Sequence, residues 1–210
     1  MRKVYINLGC GDGIVTKEFL EENPDYEAYG FDPLPMFDKE LAEIEEKYNF
    51  KYSRKAAWIS NEKKTLYACG RGGVCSSLMR EKFATRFSNP DVWKRRVREH
   101  DIECFHFSQW FEDNFSSEDY IVVYMDIEIS EFYILNDMIE RDLLSYIDNL
   151  TVEFHKQPAR TRKWVYSEAL KDETRNLYEK IITYIDENFR TKTRLGRWKS
   201  NTGGFWRWEK

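Results

Sequence analysis

Apolar and glycine positions follow a definite order at the start of the chain. An apolar run over residues 4–8 stops at a loop, residues 9–13, that has glycine at every second position. Apolar residues at helical spacing follow over residues 15–20, and a second apolar run, residues 29–31, ends on Asp32. This order predicts a strand, a glycine loop, a helix and a second strand ending in a carboxylate, which is the layout of a nucleotide-binding crossover.

The rest of the chain also alternates between extended and helical patterns. A continuous apolar run over residues 121–125 ends on Asp126, as expected of a central strand buried on both faces. Residues 194–199 and 205–209 flank a glycine-bearing turn at residues 201–204, which predicts a hairpin. Further extended patterns cover residues 50–53, 65–69 and 147–154, and further helical patterns cover residues 36–48, 132–143 and 172–190.

Alternating strands and helices that close with a hairpin predict an α/β fold. We expect a Rossmann-like class I methyltransferase fold, with a central, mostly parallel seven-stranded sheet, helices on both faces and a C-terminal antiparallel β-hairpin. Parallel strands present their carboxyl ends at one edge, so residues 9–13, Asp32, Asp126 and His155 should meet there.

Residues 70–100 interrupt the alternation. Glycines at positions 70, 72 and 73 predict a loop, and a basic segment over residues 82–98 is interleaved with aromatic residues. A helix with a solvated basic face is favoured over a nucleic-acid patch. A third interpretation is a lid that contributes polar contacts to a substrate. We predict a single domain over residues 1–210, in which residues 70–100 are an insertion or lid on the substrate side.

Composition excludes several classes of protein. A chain of 210 residues can bury a core as one domain, and its net charge of −4 makes nucleic acid an unlikely partner, although local basic patches remain open. Four cysteines without metal-like spacing indicate reduced thiols in a cytoplasmic protein. Because the first predicted strand follows Met1 so closely, we expect no signal peptide. No apolar run has membrane-spanning length. Excision from a longer polypeptide and the oligomeric state stay open.

Spacing within the glycine loop indicates which nucleoside is bound. A dinucleotide fingerprint reads GxGxxG, whereas this loop reads GxGxG and carries Asp12 where a phosphate would meet negative charge. S-adenosylmethionine, with its ribose and zwitterionic tail, is therefore favoured as the cofactor. Asp32 would accept hydrogen bonds from the ribose hydroxyls.

Several motifs resemble the FkbM family of S-adenosylmethionine-dependent methyltransferases. The distinctive block is Met125-Asp126-Ile127-Glu128-Ile129-Ser130-Glu131, and the other matching segments are residues 7–13, 30–33, 55–58 and 152–155. Ile129 stands where the family has glycine, and Asn7 where it has an acid. The resemblance implies methyl transfer to a hydroxyl of a sugar, in a glycan or a glycosylated metabolite, so we expect a carbohydrate acceptor.

The resemblance and the strand-end positions together give a set of expected site residues. Expected cofactor-binding residues are Asn7, Gly9, Cys10, Gly11, Gly13, Asp32, Ala57 and Asp126. Expected catalytic residues are His155 as the general base, with Glu153 orienting it or Asp126 sharing the role. Expected substrate residues are Glu128, Glu131, Ser77 and Trp110, and a divalent cation held by Asp126, Glu153 and His155 is conceivable.

Other interpretations of these residues stay open. His155 could have a structural role only, as a hydrogen-bonded residue at the end of its strand. Glu128 and Glu131 could be acids at a helix N-terminus, where negative charge interacts favourably with the helix dipole. The basic segment leaves a nucleic-acid methyltransferase as an alternative, and a non-catalytic interaction protein that keeps the fold is a third. Trp93 and the tail tryptophans at 198, 206 and 208 could stack on a sugar as well as Trp110.

Overall fold

The computed structural model describes residues 1–69, 75–84, 88–155 and 167–189, and the backbone of residues 191–195 and 205–209. The strands are β1 (Lys3–Leu8), β2 (Glu27–Phe31), β3 (Phe50–Ser53), β4 (Ala56–Trp58), β5 (Glu62–Cys69), β6 (Val97–His106), β7 (Tyr120–Met125), β8 (Asn149–Glu153), β9 (Thr191–Leu195) and β10 (Phe205–Glu209). The helices are α1 (Ile14–Glu22), α2 (Asp38–Lys47), α3 (Glu81–Ala84), α4 (Pro90–Arg96), α5 (Phe107–Asn114), α6 (Ser130–Glu140) and α7 (Glu168–Asn188). None of the described helices is long and apolar enough to cross a membrane.

Seven strands form the central sheet in the order β3-β2-β1-β7-β8-β10-β9. The first five of these strands are parallel, while β10 runs antiparallel to both β8 and β9. The predicted Rossmann-like class I methyltransferase fold is thereby confirmed, including the C-terminal hairpin. Strand order reverses between β1 and β7, and such a switch point is where open parallel sheets bind ligands, beyond the carboxyl ends of the strands.

Helices cover both faces of this sheet because the side chains of β1 alternate. Val4, Ile6 and Leu8 pack in one core with the apolar residues of α5, α6 and α7. Tyr5 packs in a second core with α1 and α2. Burial on both faces fixes the register of the central strands, and hence the positions of the loops at their carboxyl ends.

A second sheet, with the order β4-β6-β5, adjoins the central one. The prediction of a helix over the whole basic segment is wrong at its end, since α4 stops at Arg96 and Arg98 lies on β6. Val97, Ile102 and Cys104 are buried on this strand. The local charge pattern favours a helix here. Pairing with β5 at eight positions and burial of these side chains stabilise a strand instead.

The C-terminal elements agree with the predicted types and differ at their ends. Helix α7 spans Glu168–Asn188, and the Ser167 side chain caps it by accepting a hydrogen bond from the Leu170 amide at 3.2 Å. Strand β9 begins at Thr191 and pairs Leu195 with Phe205 of β10. The predicted turn at residues 201–204 and Trp198 lie outside the described residues.

Candidate functional site

A cavity of about 240 Å³ opens at the switch point of the central sheet. Its walls come from the glycine loop, the segment after β2, strand β4, residues 76–78 and the segment after β7. Polar side chains of Asp32, Asp126 and Glu128 line it beside apolar ones such as Leu34 and Phe37. A mostly concave site with a few converging polar groups is the usual form of a small-molecule site.

Gly9 and Gly13 hold the loop against neighbouring elements. Both have positive φ, +80° and +77°. A Cβ at Gly9 would lie 2.0 Å from the Asp126 carbonyl oxygen, and one at Gly13 would lie 2.5 Å from the Ile44 side chain. The backbone contact at Gly9 requires glycine, and at Gly13 the positive φ favours glycine while the nearby side-chain ends could shift.

Gly11 differs from the other two loop glycines. Its φ is +53°, but a Cβ there would have no heavy atom of the described part of the chain within 4 Å. Since Gly11 also lines the cavity, its Cα faces open space at the ligand side. This position lets a ligand approach the backbone.

Asp32 fixes the loop from the end of β2. Its two carboxylate oxygens accept hydrogen bonds from the backbone amides of Gly11, at 3.0 Å, and Leu34, at 2.9 Å. Burial raises the pKa of Asp32, and these two hydrogen bonds oppose the rise. Each carboxylate oxygen can accept a further hydrogen bond, so the side chain retains acceptor capacity toward the cavity that it lines.

Residues 76–78 close the cavity from the side of the second sheet. The Ser77 hydroxyl donates to the Glu128 carbonyl at 2.5 Å and accepts from the Met79 amide at 3.1 Å. The backbone of Ser77 also exchanges hydrogen bonds with Tyr67 of β5. The wall is therefore tied both to β5 and to the segment after β7.

A cluster of acids and one histidine lies at the carboxyl ends of β7 and β8. Glu128 and Ile129 have positive φ, +54° and +95°, so the chain turns sharply between β7 and α6. Such a conformation is a true outlier for a β-branched residue, and strain of this kind is concentrated at functional sites. The turn places Asp126 and Glu128 on the cavity wall and Glu131 fully buried behind them.

His155 lies at the centre of this cluster and is 8% exposed. Its Nε2 is 3.2 Å from Glu128 Oε2, 3.6 Å from Asp126 Oδ1 and 4.0 Å from Glu153 Oε1. Its Nδ1 is 3.3 Å from Glu131 Oε1, and the same oxygen accepts a hydrogen bond from the His155 amide at 2.7 Å. Carboxylates thus surround both nitrogens of the ring.

Lys82 adds a positive charge to the cluster. This lysine of α3 is 3% exposed, and its ammonium group contacts the Glu128 carboxylate in an ion pair. Nothing in the basic segment distinguishes Lys82 from its solvated neighbours, and sequence reasoning missed it. Its burial depends on α3 packing over the cluster, which is a tertiary effect.

The charges of the cluster shift its protonation. Burial alone lowers the pKa of His155, but the surrounding carboxylates, Glu128 and Glu131 foremost, raise it to about 10. Burial raises the pKa of Asp126, while the pKa of Glu128 is lowered because His155 and Lys82 outweigh its burial. The carboxylates of the cluster therefore favour a positive charge at the position of the His155 ring.

The structure brings together some of the predicted site residues and separates others. Those lining the cavity are Gly9, Gly11, Asp32, Ala57, Ser77, Asp126 and Glu128. Glu131, Glu153 and His155 lie directly behind that wall, within the cluster. Residues of the cavity that the sequence did not single out include Leu34, Phe37, Leu66 and Leu78, whose apolar character alone could not separate them from core positions.

Of the predicted site residues, Asn7, Cys10, Gly13 and Trp110 lie outside the cavity lining. Asn7 is buried and donates to the Thr16 hydroxyl at 2.9 Å, and its Oδ1 has no hydrogen-bond partner among the described residues. Cys10 is buried in the core of α1 and α2, where burial raises the pKa of its thiol. Trp110 packs against Phe31 and lines a separate recess.

No protein-family model matches the sequence, and no curated protein matches it. Similar solved structures include a precorrin-6y C5,15-methyltransferase from Geobacter metallireducens, with 9% identity over 99% of this chain and 79% of that chain and a TM-score of 0.41. The plantazolicin methyltransferase BpumL in complex with SAH has 9% identity over 98% of this chain and 75% of that chain, with a TM-score of 0.40. The catalytic domain of human Mettl16 in complex with an RNA hairpin has 7% identity over 99% of this chain and 64% of that chain, with a TM-score of 0.40.

Proposed function

We propose that the chain is an S-adenosylmethionine-dependent O-methyltransferase that acts on a hydroxyl of a sugar. One observation carries the proposal: the glycine loop with Asp32 and the acidic residues Asp126 and Glu128 line the same cavity, at the switch point of the sheet. A nucleoside and a polyhydroxylated acceptor could therefore meet there.

The residues around Gly11 fit the nucleoside end of this cofactor. Asp32 has acceptor capacity for ribose hydroxyls, and Gly11 leaves space for a ligand at its Cα. Apolar Leu34 and Phe37 border the same region and suit the face of an adenine ring. When bound, the cofactor supplies a methyl group on a sulfonium.

The acidic end of the cavity fits a hydroxyl acceptor. In the proposed transfer the carbon–sulfur bond breaks as the carbon–oxygen bond forms, S-adenosylhomocysteine is released and the hydroxyl proton passes to a carboxylate of the cluster. Asp126 and Glu128 are the carboxylates that line the cavity, so they are positioned to bind the acceptor and receive that proton.

The FkbM resemblance supports a sugar as the acceptor. Its block of acids, residues 126–131, forms the wall of the cavity and the buried layer behind it. Ile129 has φ of +95° where the family has glycine, which agrees with a shared backbone turn. Carboxylates of this kind also accept hydrogen bonds from neighbouring sugar hydroxyls.

Calorimetry with S-adenosylmethionine and with S-adenosylhomocysteine tests the cofactor half of the proposal. We expect binding by the native chain, a loss of at least about tenfold in affinity for Asp32→Ala, and no change for Asp25→Ala, an exposed aspartate paired with Lys3 away from the cavity. Absence of heat at millimolar ligand would exclude the assignment. Transfer of labelled methyl groups to a panel of sugars then tests the acceptor.

A nucleic-acid acceptor is the second candidate, favoured by the basic last turn of α4. Lys94, Arg95 and Arg96 are exposed there, and the Arg80 guanidinium lies 5.0 Å from the ring centroid of Trp93, which connects α4 to the wall segment. RNA binding that weakens steeply with salt, together with methylation of RNA and of no sugar, would favour this candidate.

A further inference from the structure

We propose that Asp126, Glu153 and His155 form a binding site for one divalent metal ion. Each residue offers one ligand atom, and these three atoms lie within 4.8 Å of one another. The site adjoins the acceptor end of the cavity, so its role rests on the proposed function, whereas metal binding itself can be measured independently.

Distances between the ligand atoms suit a coordination sphere. His155 Nε2 is 3.6 Å from Asp126 Oδ1 and 4.0 Å from Glu153 Oε1. Ligands at about 2.1 Å from an ion are separated by about 3.0 Å at right angles and by about 4.2 Å across it. Both distances that involve His155 fall within that interval, and all three ligand atoms lie within 4.8 Å of one another, so an ion would draw the carboxylates together where a distance exceeds about 4.2 Å.

Glu131 supplies the support that metal-binding histidines usually have. Its Oε2 accepts a hydrogen bond from the Ile129 amide at 2.7 Å, and its Oε1 accepts one from the His155 amide at 2.7 Å. The carboxylate is thereby fixed 3.3 Å from His155 Nδ1. A proton on Nδ1 directed to Glu131 leaves Nε2 to face Glu128, Asp126 and Glu153. A carboxylate that accepts the second proton of a histidine is the arrangement found behind metal ligands.

The three residues also combine rigidity with access. Asp126 and Glu153 sit at the carboxyl ends of the neighbouring parallel strands β7 and β8, and Glu153 and His155 are nearly fully buried. The Asp126 side chain is 33% exposed and lines the cavity. An ion can therefore reach the site from the cavity and remain in contact with an acceptor there.

Ligand chemistry narrows the choice of ion. Two carboxylate oxygens suit hard cations such as Mg²⁺ and Mn²⁺, while an imidazole nitrogen favours later transition metals. Mn²⁺ accepts both ligand types. A bound ion would act as a Lewis acid that lowers the pKa of an acceptor hydroxyl, and Glu128 on the cavity wall would be placed to accept the proton of that hydroxyl.

Electron paramagnetic resonance with Mn²⁺ tests the site on the full chain after chelation of other metals. We expect one bound Mn²⁺ per chain, with nitrogen modulation in the pulsed spectrum from the His155 imidazole. Asp126→Asn and His155→Ala should each weaken Mn²⁺ binding by at least about tenfold, and His155→Ala should also abolish the nitrogen modulation.

Asp137→Asn is the matched control. Asp137 pairs with His106 at 2.9 Å in another histidine–carboxylate pair, outside the cavity, so Mn²⁺ affinity should not change. If circular dichroism shows that His155→Ala is unfolded, Asp126→Asn still tests the metal site, because the Asp126 side chain is partly exposed and an amide can replace the carboxylate there. Absence of Mn²⁺ binding at millimolar concentration, or unchanged affinity in Asp126→Asn, would overturn the metal site.

Calorimetry in the presence of a chelator separates this inference from the proposed function. Cofactor binding without Mn²⁺ binding would reject the metal site alone. Mn²⁺ binding without cofactor binding would reject the proposed methyltransferase while leaving the metal site in place.

Discussion

Two glycines that look alike in the sequence have different roles at the level of single residues. A Cβ at Gly9 would meet the Asp126 carbonyl at 2.0 Å, whereas one at Gly11 would point into open space. We expect Gly9→Ala to lower the free energy of unfolding by about 3 kcal/mol or more. Gly11→Ala should cost only about 1 kcal/mol of stability, because its strain is limited to backbone conformation.

Cofactor binding should show the complementary pattern. Gly11→Ala places a methyl group at the cavity wall, so we expect a loss of at least about tenfold in S-adenosylhomocysteine affinity by calorimetry in a folded protein. Urea denaturation of both variants supplies the stability comparison. Equal stability of the two variants, or unchanged affinity in Gly11→Ala, would contradict these roles.

Ile129 combines backbone strain with a fully buried side chain. Its φ is +95°, and the side chain packs in the main core. Removing the side chain costs about 2–5 kcal/mol, while glycine relieves about 1–2 kcal/mol of strain. We therefore expect chemical denaturation to rank stability as native, then Ile129→Gly, then Ile129→Ala; an alanine variant as stable as the glycine variant would argue against strain here.

The sequence predicted the types of the site residues better than their surroundings. Strand patterns placed residues 9–13, Asp32, Asp126 and His155 at the carboxyl ends of their strands, as the structure has them, because strand periodicity indicates where a strand ends. Local pattern could not reveal that Lys82 is buried against Glu128, or that Cys10 faces a core, since both depend on packing between distant segments.

At the scale of elements, a charge network joins the first three strands of the sheet. Glu27 of β2 accepts hydrogen bonds from Arg2, which precedes β1, and from Lys51 of β3. Burial raises the pKa of Glu27, but these partners, together with Tyr29, lower it from 4.5 to about 2. The network thus stabilises the carboxylate form across adjacent strands.

Stability should depend on pH through this network. A lowered pKa in the folded state stabilises the fold above about pH 4.5, and this contribution is lost as the pH falls toward 2. We expect Glu27→Gln to cost about 1 kcal/mol at pH 7, after allowance for solvent screening, and less than half as much at pH 3. Urea denaturation of the native chain and the variant at both pH values measures this cost. Glu22→Gln, which changes an exposed glutamate, is the control. A difference in unfolding free energy between Glu27→Gln and the native chain that does not depend on pH would argue against the carboxylate as its source.

The type of an element was predictable where the spacing of its apolar residues and the length of the segment both indicated the same structure. The apolar run of β7 and the helical spacing of α6 have unambiguous patterns, and both elements appear as expected. The segment at 97–106 carries charges on both sides of buried Val97, Ile102 and Cys104, so its pattern resembles neither a strand nor a helix. The segment forms a strand because it pairs with β5, and the local sequence pattern does not predict that pairing.

At the scale of the whole molecule, the sheet order explains how distant residues share one cavity. β1 lies between β2 and β7 in the sheet, although β7 follows β1 by more than a hundred residues in the chain. Their carboxyl ends carry Gly9, Asp32 and Asp126 to the same cavity. The topology was predictable from alternating elements, whereas the wall formed by residues 76–78 was not, because it depends on how the second sheet docks.

Ligand binding at this edge should protect one side of the molecule from hydrogen exchange. We expect saturating S-adenosylhomocysteine to slow exchange by up to about a hundredfold at ligand concentrations near a hundred times Kd, in residues 9–13, 32–34 and 126–130. Residues 23–26 and 116–119 precede β2 and β7 at the opposite edge, so they should be unaffected. Mass spectrometry of exchanged peptides measures both sets.

Asp32→Ala distinguishes binding at the cavity from general stabilisation. If Asp32 holds the ligand, the variant should lose protection at all three carboxyl-edge segments together, because one ligand spans them. Protection that persists in the variant, or that spreads equally to residues 23–26 and 116–119, would mean that the ligand binds elsewhere. Protection at residues 9–13 and 32–34 without residues 126–130 would retain the nucleoside site and reject the acidic cluster as the acceptor end, because the methyl group must lie beside the acceptor for transfer to occur.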